Sequence, residues 1–307
     1  MAPVPQDVLA GLQATPKTLP CRLLWDTRGA ELFADICNVD EYYLTRHELG
    51  ILREHLPAIA RAVGPRARVI EPGSGLALKT HLLLDALEAP ASYIAIELEA
   101  AQLASATAAL RAAYPEIEVE PVCADYTRPF ELPASRRAFE RSLVFFPGST
   151  IGNFELEEAR TFLSRFAALV EPGACLVLGA DSNSDGAALV AAYDDAAGIT
   201  AEFDRNVLVH LNREYGADFD ASAFAHRAVW DPERCRIEMR LVSLRAQRVR
   251  IAGTVIALDK GEPIVTEHCY KYRPEALRAL LARSGWRVDN VYADARGWMR
   301  LWIATRV

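Results

Sequence analysis

From about residue 57 to residue 178, short runs of β-branched and aliphatic residues alternate with longer Ala- and Leu-rich segments of helical period. That is the pattern of βαβ units wound around a mostly parallel sheet. Five runs predict buried strands at 68–71, 93–97, 118–123, 143–146 and 176–180, each apolar and each stopping at a polar residue or a glycine. Three segments between them, 78–87, 100–113 and 156–169, predict helices. Before this region, residues 23–49 are rich in aromatic and charged side chains (Trp25, Phe33, Tyr42, Tyr43, Arg46) and do not read as another βα unit.

After it the pattern changes. Residues 185–226 read as mostly helical, whereas 236–244, 248–256 and 264–272 alternate apolar and polar positions in strand fashion. A helix at 274–284 follows the Arg273-Pro274 break, and 287–293 with 299–304 read as a closing hairpin. The expectation is a doubly wound, Rossmann-like α/β core formed by 48–184 and 273–307. A smaller α+β domain for substrate, formed by 1–47 and 185–272, is expected to cap it. Ligands of open α/β sheets bind outside the carboxyl ends of the strands, which is where the site is expected.

Composition narrows the range of partners. The 307 residues carry 51% hydrophobic positions, enough to fill a sizeable core, and a formal net charge of -7. An acidic chain lacks the clustered Lys and Arg of a nucleic-acid or anionic-membrane surface, so a small molecule is the expected partner. The six cysteines form no CxxC pair and no Cys/His cluster at metal spacing, which predicts reduced thiols and no metal. No apolar run is long enough to span a membrane, and the opening residues lack the features of a secretion signal, so a cytoplasmic protein is expected, with a monomer favoured.

The densest chemistry lies at Glu71-Pro-Gly-Ser-Gly75. Two small residues between an apolar strand and a helix let the backbone turn tightly and approach a ligand closely. Leu78 stands where the third glycine of a dinucleotide fingerprint belongs, which disfavours NAD and its pyrophosphate. S-adenosylmethionine has no phosphate and fits such a turn. Glu97 ends the second strand about 20 residues beyond the turn, where a carboxylate can accept both ribose hydroxyls; a solvated strand end is the alternative. Asp125, ending the third strand, either takes the adenine amino group, with Tyr126 against the ring, or caps a helix. The fourth strand ends in Gly148-Ser-Thr-Ile-Gly-Asn153, whose polar groups are expected to face the methyl group in transit.

These stretches resemble the L-histidine N-alpha-methyltransferase family of ergothioneine biosynthesis over nearly the whole chain. The likeness rests on Trp25-Asp-Thr-Arg-Gly-Ala-Glu-Leu-Phe33, Glu41-Tyr-Tyr-Leu-Thr-Arg46, the glycine turn with Lys79-Thr80, the Gly148 to Asn153 loop, Ala192-Tyr-Asp-Asp195, Phe203-Asp-Arg-Asn206 and Thr266-Glu-His-Cys-Tyr-Lys-Tyr272. The resemblance implies trimethylation of the histidine α-amine to hercynine, leaving S-adenosylhomocysteine. It implies a cofactor site on Gly73, Lys79, Glu97, Asp125, Tyr126 and Gly148. It also implies a substrate site on Trp25, Phe33, Tyr43, Asn153, Tyr193, Met239, Glu267 and Cys269. Within that site, Asn153 and Tyr193 would hold the α-amino and carboxylate groups, Tyr43 would lie near the reacting amine and Glu267 would bind the imidazole, which makes Tyr43 and Asn153 the catalytic pair.

Two departures keep the acceptor open. The family's Glu-x-Ser is Glu267-His268-Cys269 here, and a thiol is a weaker hydrogen-bond partner than a hydroxyl. Trp25 replaces a tyrosine, keeping a stacking surface and losing the phenolic oxygen. Another aromatic amino acid, tryptophan or tyrosine, therefore stands as an alternative acceptor, and a non-catalytic cofactor-binding module as a third reading. Met239 has an ordinary core role as its competing assignment. Of Tyr42 and Tyr43, one is expected to pack and one to face the ligand. His268, pointing away from Glu267 and Cys269 along the strand, reads as structural or surface.

Overall fold

A computed structural model describes residues 3–73 and 77–307. In chain order its first elements are α1 (Gln6–Gln13), β1 (Lys17–Thr18), α2 (Thr27–Ile36), α3 (Tyr43–Val63), β2 (Ala67–Pro72), α4 (Leu78–Ala86), β3 (Ser92–Glu97) and α5 (Ala100–Ala113). There follow β4 (Glu118–Cys123), β5 (Arg141–Phe146), α6 (Leu156–Leu169), β6 (Cys175–Asp181), α7 (Gly186–Tyr193) and α8 (Ile199–Tyr215). The remainder is β7 (Phe224–Asp231), β8 (Arg236–Ser243), β9 (Gln247–Ile251), β10 (Thr254–Leu258), β11 (Pro263–Tyr270), α9 (Pro274–Arg283), β12 (Trp286–Ala293) and β13 (Met299–Arg306). The chain divides into two compact units, one of residues 1–43 with 184–270, the other of 44–183 with 271–307.

The second unit is the α/β core. Its seven strands lie in the order β12-β13-β6-β5-β2-β3-β4, with β2 to β6 parallel and β13 and β12 antiparallel at one edge. The Rossmann-like class expected of the sequence is the one observed. The four inner parallel strands, β2, β3, β5 and β6, are apolar on both faces: Val69, Tyr93, Leu143, Phe145 and Val177 are buried on one, and Ile70, Ile94, Val144, Phe146 and Leu178 on the other, whereas the edge strand β4 is only partly buried. Local signals start the helices where the sequence places them. Glu155 and Glu158 form a reciprocal capping box at α6, and Pro274 occupies the first turn of α9. Strand order reverses at β2, which pairs with β3 on one side and β5 on the other. The turns after β2 and β5 therefore flank the switch point where such sheets bind ligands.

Glu71 ties this point together. Its carboxyl accepts hydrogen bonds from Tyr93 Oη at 2.7 Å and Thr80 Oγ1 at 2.8 Å, joining β2 to β3 and α4. It is 2% exposed, and burial pushes its pKa up to about 8.

In the first unit the sheet order is β1-β11-β8-β7, β1 pairing parallel with β11 and the rest antiparallel, with β9 and β10 as a separate hairpin. Helices α7 and α8 pack on β7 and β8. Two sequence expectations need correction here. Residues 248–256 are not one strand: Ala252 and Gly253, at φ of 47° and 77°, make a two-residue turn between β9 and β10. A run of good strand formers hides such a turn when only one glycine marks it. The helical reading of 185–226 stops short too, since β7 begins at Phe224. Helix α3 was concealed by Pro57 in its interior, which reads as a break in sequence.

The raised pKa of Glu71 has a definite consequence for stability. Between its ordinary value of 4.5 and about 8, the folded chain holds a proton that the unfolded chain releases, so stability falls as pH rises through that window. Glu71→Gln keeps an acceptor for Tyr93 and Thr80 and cannot titrate. Urea midpoints taken at intervals from pH 5 to pH 8 should fall more steeply for the wild type than for the variant; parallel curves would show that the carboxyl stays ionised.

Candidate active site

The site residues expected for the cofactor all belong to the α/β unit. Gly73 leaves β2 at φ of 69°, a conformation that favours glycine, and a Cβ there would stand 3.5 Å from Tyr126 Oη. Ser74 and Gly75 lie outside the described residues. The Tyr126 ring meets Phe146, Phe154 and Phe162 edge-on, at centroid distances of 6.3, 6.5 and 6.0 Å, so β5 and α6 hold it beside the glycine turn. Glu97 ends β3, half-buried, next in the sheet to the end of β2. Asp125 accepts from the Thr127 amide at 2.9 Å and from the Thr127 hydroxyl, and lies 3.3 Å from Arg128. It therefore closes a local turn rather than capping a helix, and has further acceptor capacity.

Lys79 is placed differently from a simple ligand. Its ammonium lies 2.5 Å from Glu48, a carboxylate on α3 with no exposed surface. Both oxygens of Glu48 also accept the Gly148 amide, each at 2.9 Å. Glu48 fits because residue 179 is glycine: a Cβ there would fall 1.9 Å from Glu48 Oε1. The loop that starts at Gly148 (φ 84°) continues through Ser149 (φ 59°), whose Oγ accepts the Asp181 amide at 2.9 Å. Asp181 is itself paired with buried Lys271 at 3.0 Å. Tyr272 Oη donates to the Ile151 carbonyl at 3.3 Å, and the loop ends at Asn153. The backbone of this loop is thus held at three successive points before Asn153.

This arrangement fits an adenosyl group better than a dinucleotide. The turn at Gly73 has a ring beside it and a carboxylate at the neighbouring strand end, while the one ammonium at the start of α4 is engaged by Glu48 rather than offered to a phosphate.

The residues expected for the substrate, apart from Asn153, belong to the other unit. Trp25 packs edge-on against Phe33 at 4.9 Å and Phe203 at 5.7 Å; Phe33 meets Tyr42 at 5.9 Å, and Tyr42 meets Tyr193 at 6.0 Å. Tyr193 Oη lies 2.9 Å from Cys269 Sγ. Cys269 and Glu267 alternate with His268 on β11, and Glu267 stands opposite Met239 on β8. His268 is the most exposed of the three and lies 3.6 Å from Glu238, in keeping with a structural role. Trp25, Phe33, Tyr193, Met239, Glu267 and Cys269 therefore form one connected wall. Tyr42 and Tyr43 are both buried, at 7% and 4% exposure, and Tyr42 contributes its ring to that wall.

Asp26 fixes the Trp25 end. It caps α2 through the Gly29 amide at 2.8 Å, accepts from Asn206 at 2.7 Å, and pairs with Arg213 at 2.9 Å. Sequence reasoning overlooked Glu48, Gly179, Asp26 and Phe203 as parts of the site. Gly179 carried the one usable signal, an isolated glycine inside a buried strand, which marks a close approach.

The chain matches the family described as histidine-specific methyltransferase, SAM-dependent, over residues 4–306. It is 43% identical to a histidine N-alpha-methyltransferase of Mycolicibacterium smegmatis and 40% identical to one of Mycobacterium tuberculosis, each match covering 98% of this chain and 94% of the relative. Ergothioneine biosynthesis protein 1 of Schizosaccharomyces pombe is 29% identical over 89% of this chain and 37% of its own length.

The Glu48 arrangement is open to test by stability. Lys79→Met leaves a fully buried carboxylate without its cation, and should cost about 3–5 kcal/mol in urea unfolding. Adding Glu48→Gln should restore much of that loss. Gly179→Ala should destabilise the wild type by about 1–3 kcal/mol by overpacking, and by less in the Glu48→Ala background, where the obstructing oxygen is gone. Additive effects in both pairs would contradict the contact.

Proposed function

The chain belongs to the SAM-dependent, histidine-specific methyltransferase family, and on that premise we propose that it methylates the α-amino nitrogen of L-histidine three times in succession, giving hercynine on the route to ergothioneine. The observation that carries the reading is a family match that takes in both the glycine turn and the Glu267 face of β11. Histidine is favoured over tryptophan or tyrosine by that match, and the place of Cys269, its sulfur within hydrogen-bond distance of Tyr193, leaves ring recognition to Glu267.

Bound S-adenosylmethionine supplies an electrophilic methyl group on a sulfonium. The chain's own residues hold the reactants for an in-line displacement, in which most of the gain comes from positioning. Gly73 permits close backbone approach to the methionine portion, Glu97 accepts the ribose hydroxyls, and Asp125 with Tyr126 borders the adenine. Gly148 and Lys79 serve through the Glu48 contact, which sets the course of the loop to Asn153.

On the acceptor side, Glu267 takes an imidazole N–H and Tyr193 holds the carboxylate. The nucleophile must be a neutral amine, although α-amines are largely protonated at neutral pH, with reference values of about 7.7–8.0. Asn153 can bind that amine without favouring its charged form as a carboxylate would. Tyr43 accepts a hydrogen bond from it or passes its proton towards water. Each round removes one N–H donor, so anchoring through ring and carboxylate lets the amine grow without release of the rest.

Incubation with methyl-labelled S-adenosylmethionine and a panel of free amino acids, read by mass, should show three methyl groups on histidine; methylation of tryptophan or tyrosine instead, or of nothing, would overturn the proposal. Glu267→Ala should weaken histidine binding by about ten- to a hundredfold, the value of a hydrogen bond to a charged group, with S-adenosylmethionine binding within about twofold of wild type. Unchanged histidine affinity in calorimetry would remove Glu267 from the ring site.

A further inference from the structure

Buried behind the aromatic wall of the first unit lies a histidine to which the methyl-transfer reading gives no role. His226, on β7, is 3% exposed. Its Nδ1 lies 2.7 Å from Asp204 Oδ2 on α8, and its Nε2 lies 2.8 Å from the carbonyl oxygen of Tyr193 at the end of α7. The other oxygen of Asp204 accepts the hydroxyl of Thr266, the residue before Glu267 on β11. One ring thus links the elements that carry Tyr193 and Glu267.

The proton inventory follows from the partners. A backbone carbonyl only accepts, so Nε2 must carry a hydrogen. The short Nδ1 to Asp204 contact needs one proton more, and the hydrogen bond to Asp204 raises the ring's affinity for it. The ring is then an imidazolium donating at both ends, and Asp204 is its counter-charge. The groups facing it are Asp204 from α8, the carbonyl of Tyr193 and the charge of Asp194 from the end of α7, Thr266 by way of Asp204, and Leu241 opposite on β8. Both carboxylates favour the protonated ring. Although burial opposes the charge, the hydrogen bond to Asp204 and the two nearby carboxylates outweigh it and hold the pKa above the ordinary histidine value.

We propose that His226, protonated on both ring nitrogens, is a positioning residue that holds Tyr193 and β11 in the arrangement that binds the amino-acid substrate. The inference rests on the assignment of Tyr193 and Glu267 to that substrate. Loss of the proton would leave a lone pair directed at either the Tyr193 carbonyl or the Asp204 carboxylate, and one of the two contacts would open. Because the folded-state pKa is raised, the holding effect is present at lower pH and is lost as pH rises through that value.

Two measurements test this. In the wild-type chain labelled with ¹⁵N-histidine and carrying no substrate, one ring should keep both nitrogens protonated to a higher pH than free histidine measured alongside, and that signal should disappear in His226→Gln. A neutral tautomer would overturn the proposal, and this readout is independent of which acceptor the enzyme uses. Binding of L-histidine in the presence of S-adenosylhomocysteine should weaken about tenfold or more in His226→Gln, with S-adenosylhomocysteine affinity within about twofold and kcat changed less than KM. The ratio of wild-type to variant affinity should decline towards one as pH rises through the ring's pKa. A ratio constant with pH, or an unchanged affinity for histidine, would refute the positioning role.

Discussion

A carboxylate with no exposed surface has to find all of its partners inside the protein, and Glu48 finds them in two. The Lys79 ammonium supplies the counter-charge, and the Gly148 amide spends its hydrogen between the two oxygens. Leaving such a group unpaired costs several kcal/mol, so α3, the start of α4 and the loop after β5 have little freedom to move independently. The loop's left-handed residues, Gly148 and Ser149, are tolerated because this contact, the Ser149 to Asp181 hydrogen bond and the Tyr272 hydroxyl together over-determine its path. Asn153 comes at the end of that path. The position of a neutral amide on the loop is thus set by an ion pair that need not touch any ligand.

The first unit solves its problem with rings in place of charges. From Trp25 through Phe33 and Tyr42 to Tyr193, successive edge contacts form a continuous surface, ending at the thiol of Cys269. Aromatic side chains give large rigid area with few rotatable bonds. The polar groups that fix this wall lie behind it: Asp26 at the Trp25 end, and Asp204 with His226 at the Tyr193 end. Both clusters are buried and hydrogen-bonded on several sides, which gives the rings a fixed backing.

What could be read in the sequence depended on whether the signal was local. Inner parallel strands buried on both faces, such as 143–146, show as continuous apolar runs; the partly buried edge strand 118–123 and the helices 100–113 and 156–169 also have the boundaries expected of them. The strand end at Glu97, the turn at Asp125 and the two glycine turns were visible for the same reason, each being marked by neighbouring residues in the chain. Contacts between distant segments left no such trace. Glu48 lies five residues past Tyr43 on the same helix and reads as an ordinary charged position; only the fold brings it to Gly148, a hundred residues on. His226 sits at a position alternating like its neighbours, and nothing in the sequence joins it to Asp204. Ala252-Gly253 was lost in a run whose period survives the turn.

Lys79 shows how a correct motif can carry an incomplete physical account. Its place after the glycine turn suggests a direct hand in binding, yet its ammonium is committed to Glu48. On the proposed reading its effect on the cofactor is exerted through the backbone of the Gly148 loop. Cys269 shows the converse. In sequence it is a weaker hydrogen-bond partner at a position where the resemblance leads one to expect a serine; in the fold its sulfur meets the Tyr193 hydroxyl, and both side chains find a partner without the ligand. A substitution that would have left an orphaned group in a ring site instead pairs two residues of the wall. On the proposed reading, recognition of the acceptor then falls on Glu267, which stands opposite an apolar residue, Met239. A carboxylate can accept an imidazole N–H and offers nothing comparable to a phenyl ring, so on that reading the site favours a ring that carries a donor over one that does not.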